Sequence, residues 1–237
     1  MRARRVRVQA LQEGSVRLMG PEAHPLARVL RARVGDPVQG FDGTGREADG
    51  VIAAVMDGTV EVSFGPPRVA GVEAPIAVTL AVALLKGDKL SQVVRQATEL
   101  GAQRVRPIVT ARCDVPRLSP SKADRLRRVA TEAAKQSGRA QVPEVDDPVA
   151  LSALAWDGPA WIADPGAEQG WADMDLEPAL AAGRATLLTG PEGGFTAAEL
   201  KDLVARGARP IRMGARVLRA ETAPLALLTA LLSRIDE

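Results

Sequence analysis

At Pro75 the chain changes rhythm, and that change constrains the fold more than any other feature. Just beyond it, residues 76–85 form an apolar run of the kind a strand needs when both of its faces are buried, as in a parallel sheet covered by helices. Helical and strand patterns then alternate to the C-terminus. Residues 88–100 have helical periodicity and stop at Gly101. Residues 105–110 read as a strand whose Pro107 favours an end or edge position. Residues 119–137 read as a long helix between a Ser119 or Ser121 cap and Gly138. Residues 160–163 and 186–189 are short strands, and 196–206 is a helix opened by a Thr196–Glu199 capping box. Residues 210–213 are a strand, and 222–235 a strongly apolar closing helix. Residues 75–237 are therefore expected to form an α/β domain on a mostly parallel sheet.

Ahead of Pro75 the punctuation is that of a small β domain, expected over residues 1–70. Residues 4–8 and 16–18 alternate, Phe41-Asp-Gly-Thr-Gly is a hairpin-type turn, and 51–55 and 60–64 are β-rich runs. One short helix is expected at 24–33, with Leu26, Val29 and Leu30 on its apolar face. Strands plus one helix in so few residues suggest a small barrel. Gly65-Pro-Pro and the stretch 71–75 read as a linker.

Composition narrows the function classes. Of 237 residues 46% are hydrophobic, which excludes global disorder. The single cysteine, Cys113, excludes a disulfide framework and reads as a small buried hydrophobe. The single histidine, His24, excludes most histidine-ligated metal centres and makes a Ser-His-Asp machine a poor fit. No apolar run approaches membrane-spanning length, and the basic N-terminus is not followed by the apolar region of a signal peptide, so a soluble cytoplasmic protein is expected. Charge is unevenly placed. Residues 1–35 hold eight arginines against Glu13 and Glu22, residues 104–139 hold ten Lys or Arg against three acids, and residues 140–183 hold nine acids and no base. Two positive segments in a chain of net charge +2 suggest a surface for a polyanion, or simply solvated faces of unrelated elements.

Chemistry concentrates in the last fifty residues. Neither a Gly-x-Gly-x-x-Gly nor a P-loop pattern is present. Instead, two strands run into glycine-bearing loops followed by helices: Leu187-Leu-Thr-Gly-Pro-Glu-Gly-Gly-Phe-Thr and Ile211-Arg-Met-Gly-Ala-Arg-Val-Leu-Arg-Ala-Glu-Thr-Ala. Glycine lets the backbone pass close to a ligand, and ligands of open α/β sheets sit outside the carboxyl ends of strands. Each loop read alone is also explained as a turn and a helix cap.

Together and in this order, Gly190-Pro-Glu-Gly-Gly-Phe and Met213-Gly-Ala-Arg-Val-Leu-Arg-Ala-Glu-Thr-Ala resemble the ribosomal RNA small-subunit methyltransferase E family of the SPOUT superfamily. The likeness runs along essentially the whole chain. It includes His24-Pro-Leu-Ala-Arg-Val-Leu-Arg, Phe41-Asp-Gly, Lys86 and Lys89 before Glu99-Leu-Gly, Arg112-Cys, and Gln136-Ser-Gly-Arg-Ala-Gln-Val-Pro. Lys135 departs from the pattern, since many members carry an acid there. The resemblance implies a PUA-like β-barrel followed by a SPOUT-type α/β domain with a C-terminal trefoil knot, which the usual topology rules would have excluded. It also implies a homodimer, no metal, S-adenosyl-L-methionine as methyl donor, and N3-methyluridine in the decoding region of 16S rRNA, formed in the 30S subunit. Carried over by position, the cofactor is expected against Leu188, Gly190, Glu192 and Gly193, against Met213, Gly214, Leu218, Arg219 and Ala220, and near Asp164 and Pro165.

Methylation at N3 requires loss of the N3 proton, so stabilising charge on O2 and O4 lowers the barrier. Arginine suits that task. Arg219 is assigned to it, with Glu221 orienting the arginine or taking the proton. A phosphate clamp for Arg219 and a helix-dipole partner for Glu221 are the plainer alternatives. Arg4, Arg5, Arg7, Arg28 and Arg31, extended by Lys86, Lys89, Arg112, Arg125, Arg128 and Arg139, are the candidates for holding rRNA phosphates. Rival readings are a knotted methyltransferase with another RNA target, a non-catalytic RNA-binding assembly protein and, less well supported by the charge, a metabolic enzyme.

Overall fold

The structure is a computed structural model and describes residues 3–29, 32–56 and 58–235, without the side chains of residues 28 and 29. The chain divides into two compact units: residues 1–73 with 134–142, and residues 74–133 with 143–237. The division between the two units falls between residues 73 and 74. The first unit nevertheless takes back nine residues from the middle of the chain, which no local pattern announces.

The first unit contains β1 (Arg4–Arg7), β2 (Gly14–Met19), β3 (Pro37–Phe41), β4 (Arg46–Met56), β5 (Thr59–Phe64) and β6 (Arg68–Val69). Their order is β1-β3-β4-β5-β2, with β6 paired to β4. Only the β1–β3 pair is parallel. The sheet covers a core of Val6, Val8, Leu18, Leu26, Val38, Ile52, Val60, Val62 and Phe64. The expected linker at Gly65-Pro-Pro is only a short connection within the unit, since β6 returns to the sheet beyond it. The expected short helix is present as a π-helical turn, Pro25–Val29, and Leu30 and Arg31 lie outside the described residues.

Two arginines expected at an RNA-facing surface have their side chains largely covered here instead. Arg139, 4% exposed, is paired with Glu73 at 2.8 Å, and Glu73 also accepts from the backbone N–H of Ala140 and Gln141 at 2.9 Å each. Arg5, 7% exposed, pairs with Glu47 at 3.1 Å, donates to the Arg139 carbonyl at 2.9 Å and lies 5.1 Å from the Phe41 ring. A guanidinium already desolvated against a carboxylate has no face to offer a phosphate. Lys135, the departure from the family pattern, also has a local use: its ammonium is 2.6 Å from Glu22.

The second unit contains β7 (Ala77–Ala83), α1 (Lys89–Leu100), β8 (Arg104–Val109), α2 (Pro120–Ser137, whose last four residues belong to the first unit), β9 (Glu144–Val145), β10 (Val149–Ala150), β11 (Ala160–Ala163), α3 (Glu177–Ala182), β12 (Arg184–Thr189), α4 (Ala197–Ala205), β13 (Ala208–Ile211) and α5 (Ala223–Leu232). All its strand pairs are parallel, in the order β10-β8-β7-β12-β11-β13, with β9 also on β8. Pro107 is explained by that arrangement. β8 is paired along one side with β7, but its other neighbour is broken into β9 opposite residues 104–105 and β10 opposite 108–109. The missing N–H falls in the gap. Gly101 closes α1 in the left-handed region at φ +112°, its N–H shared between the Ala97 and Thr98 carbonyls. Thr196 and Glu199 form the expected capping box of α4. The last strand ends at Ile211, two residues short of the expected boundary.

Part of the charge asymmetry cancels inside this unit. Arg104 pairs with Glu144, its register partner on β9, Arg106 pairs with Asp146 at 2.6 Å, and Arg127 with Asp147 at 2.7 Å. The basic segment and the acidic segment after it are thus partly each other's counterions. No described helix is long and apolar enough to cross a membrane.

The buried pair in the first unit yields a stability prediction. Glu73→Ala removes the carboxylate that pairs with the buried Arg139 guanidinium and accepts from the Ala140 and Gln141 N–H groups, at a cost of about 3–5 kcal/mol. Urea unfolding at neutral pH measures it; a loss below about 1 kcal/mol, the range of an exposed pair, contradicts this placement.

Candidate functional site

Three neighbouring parallel strands, β12, β11 and β13, end on the same edge of the sheet, and their exits form one cleft of about 600 Å³. β12 leads into residues 190–195. Gly194 turns this loop at φ +67°, with its N–H on the Pro191 carbonyl at 2.9 Å. A Cβ at residue 190 would lie 3.1 Å from the Gly194 and Phe195 backbone, so any side chain there would push the folded-back loop off the strand end by a few tenths of an ångström. Arg112 fixes the loop from outside, donating to the carbonyls of Gly193 at 2.9 Å and Phe195 at 3.2 Å. Glu199 ties α4 to the same neighbouring segment, accepting from the Ala111 N–H at 2.7 Å.

β13 leads into residues 212–222. The Arg219 carbonyl accepts from the N–H groups of Thr222 and Ala223 at 2.9 Å, which starts α5 and turns Leu218, Arg219, Ala220 and Glu221 to the cleft. β11 ends at Ala163 and leads into Asp164, whose N–H donates to the Ile211 carbonyl at 3.0 Å and whose side chain accepts from the Gly166 N–H. Phe195, Leu200, Val217 and Leu218 supply apolar wall, and Asp164, Lys89, Glu192, Arg219 and Glu221 supply charge.

Pro165, Gly190, Glu192, Gly193, Leu218, Arg219, Ala220 and Glu221 all line this cleft, with Asp164 beside them. Leu188 does not. It is fully buried in the sheet core, and the wall position falls to Thr189 one residue on. Gly214 lines a neighbouring shallow concavity with Arg212, Trp171 and Pro165, and Met213 lines neither. Of the cations assigned to RNA, Lys86 is exposed and paired with Asp114 at 2.9 Å. Arg4 pairs with Asp36 at 3.1 Å, Arg7 is exposed, and Arg112 is engaged on the loop. Arg31 and the Arg28 side chain lie outside the described residues.

Lys89 is in the cleft itself, which the sequence offered no means of seeing. Its ammonium is 2.8 Å from Glu192 and 3.4 Å from Glu221, so it touches both glycine-bearing loops. Burial alone would push the Glu192 carboxyl up. The Lys89 hydrogen bond, the backbone N–H groups of Glu192 and Lys86, and the Lys89 charge outweigh it, and hold Glu192 below the usual carboxylate range. Thr189 Oγ1 is buried on the cleft wall without a hydrogen bond, whereas the buried Glu221 Oε2 has the Lys89 ammonium at 3.4 Å. Orphaned polar atoms at a cavity wall are what a polar ligand would satisfy.

Residues 72–232 match the family model of an RNA methyltransferase domain. Over 228 residues the chain is 34% identical to the ribosomal RNA small subunit methyltransferase E of Synechocystis sp., covering 93% of this chain and 74% of that one. The chain belongs to the ribosomal RNA small subunit methyltransferase E family. The Bacillus subtilis protein of that name is 33% identical over 226 residues, 90% of this chain and 88% of its own. The solved structure of the methyltransferase E from Neisseria gonorrhoeae, bound to S-adenosyl methionine, has a TM-score of 0.90 at 26% identity over 98% of both chains. A Legionella pneumophila methyltransferase in complex with its cofactor SAM has a TM-score of 0.89 at 28% identity, over 99% of this chain and 98% of that one.

In this methyltransferase the Lys89–Glu192 bridge gives an acid-limb prediction. Because the folded Glu192 carboxyl titrates below its unfolded value, the bridge stabilises fully above the usual glutamate range and is lost as pH falls through the folded value. The difference in unfolding midpoint between the natural protein and Glu192→Gln should therefore be constant from about pH 6 to 8 and close below about pH 4. A difference independent of pH into the acid contradicts the bridge.

Proposed function

We propose that this protein transfers a methyl group from S-adenosyl-L-methionine to N3 of a uridine in the decoding region of 16S rRNA, acting on the 30S subunit as a cytoplasmic homodimer. The observation that carries the reading is the convergence of the two glycine-bearing loops in one cleft, with Arg219 and Glu221 on the wall they share. Membership of the methyltransferase E family and the SAM-bound relatives support it. In the same reading residues 1–70 are a PUA-like barrel that grips RNA, and the segment after β12 is tied in the trefoil knot of SPOUT enzymes.

The cleft fits the cofactor by its own chemistry. Close backbone at Gly190, Gly193 and Gly194 and the apolar wall suit a flat adenine ring, and the Thr189 hydroxyl is an unfilled polar contact. Residues 190–193, Leu218, Ala220, Pro165 and the backbone of Arg219 would hold it. When bound, it supplies an electrophilic sulfonium methyl, and the S–C electron pair stays with sulfur as N3 takes the methyl. The chain's own residues do the rest. The Arg219 guanidinium, exposed and in no ion pair among the described residues, donates to uracil O2 or O4 as negative charge grows there. The Glu221 carboxylate, held by Lys89 at Oε2, takes the proton from N3 on its other oxygen. N3 lies on the Watson–Crick edge, so the target base must be unpaired or flipped out of its stack.

Incubation with methyl-labelled cofactor and unmodified 30S subunits, beside naked 16S rRNA, 50S subunits and tRNA, tests the reading. Label in 16S rRNA with one new reverse-transcriptase stop at a decoding-region uridine is expected, since an N3 methyl blocks pairing. Arg219→Ala should lose turnover by at least about 10²-fold while binding the cofactor nearly as well. Label without a stop, or in another RNA, overturns the target; turnover surviving in Arg219→Ala overturns the residue's role.

A further inference from the structure

Lys89 is oddly placed for a helix residue. It is the first residue of α1, where the helix dipole disfavours a cation, and the first turn of α1 has no acid to offset it. Its neighbour Asp88 makes no side-chain cap and pairs outward with Arg125 at 2.8 Å. Helix stability therefore gives no reason for a lysine here. What the position provides is reach into the cleft, where Nζ lies between Glu192 of the first loop and Glu221 of the second. Two carboxylates within 3.4 Å of one ammonium would repel each other without it. Glu192 has further anchors in the backbone N–H groups of Lys86 and Glu192 itself. For the Glu221 carboxylate, Lys89 is the one charged partner among the described residues.

We propose that Lys89 is a positioning residue for methyl transfer: by clamping Glu192 and, through Oε2, Glu221 from opposite loops it fixes the Glu221 carboxylate at the cleft wall, where its other oxygen accepts the substrate proton. This rests on the cleft being the methyl-transfer site proposed for it. The proton leaving N3 ends on the Glu221 oxygen that Lys89 does not hold, and Lys89 stays protonated throughout, so it acts only through the carboxylate. An ammonium that already balances two carboxylates is also a poor seat for an RNA phosphate, which moves Lys89 from the RNA footprint to the catalytic apparatus.

The test uses the full-length protein with 30S subunits as substrate. Lys89→Met should lower kcat by on the order of 10²-fold, with KM for RNA and the cofactor Kd changed by less than about threefold. Lys89→Arg, which keeps the charge, should recover most of the rate, and Lys89→Met added to Glu221→Gln should cost little more than Glu221→Gln alone. Met and Arg variants that are equally active overturn the proposal. So does a raised KM with a salt slope of RNA binding reduced by about 1, the mark of a lost phosphate contact. The clamp is also readable without turnover, as non-additive unfolding midpoints of Lys89→Met and Glu221→Gln in the cofactor-free protein. Additive midpoints overturn it. A natural protein that shows this coupling but methylates no RNA contradicts the assigned function and leaves the clamp standing.

Discussion

The site depends on one constraint, that β11, β12 and β13 are adjacent, parallel and end together. Their side chains are buried along most of their length, so the strands cannot shift to suit a ligand. What varies is the chain that leaves them. Each exit is pinned by backbone hydrogen bonds: Gly194 to Pro191, Asp164 to Ile211, Thr222 and Ala223 to Arg219. Loops held this way present main-chain donors and acceptors at fixed positions. Preorganisation of that kind is what transition-state stabilisation requires.

Charge works at two depths. Inside the first unit, Arg5 and Arg139 commit their guanidinium groups to Glu47 and Glu73, and so serve packing rather than recognition. In the cleft, Lys89 balances Glu192 and Glu221, while Arg219 is left without a carboxylate partner among the described residues. The contrast separates two kinds of basic residue that composition counts as one. A paired arginine holds the fold, and an unpaired one beside a cavity is available to a substrate.

Much of this was legible in the sequence because it is local. The apolar run at 76–85 announced a doubly buried strand, Thr196 and Glu199 announced a capped helix, and the two glycine-bearing exits announced the cleft. What was illegible is non-local. Nothing near β12 says that it inserts between β7 and β11, because its pairing with β7 joins segments about a hundred residues apart. For the same reason Lys89 read as an RNA contact until its distance to Glu192 and Glu221 was known. Leu188 lies one residue short of the cleft wall, since periodicity does not show where a fully buried strand stops being core and starts being wall. The charge blocks misled for a related reason: their excess is partly neutralised by acids that only the fold brings near.

Hydrogen–deuterium exchange with and without S-adenosyl-L-methionine asks directly whether two loops distant in sequence make one cofactor site. Exchange should slow in residues 190–195 and 215–222 together, at the same half-saturating concentration, with the first unit unchanged. Protection confined to one loop, or appearing elsewhere, would contradict a shared site.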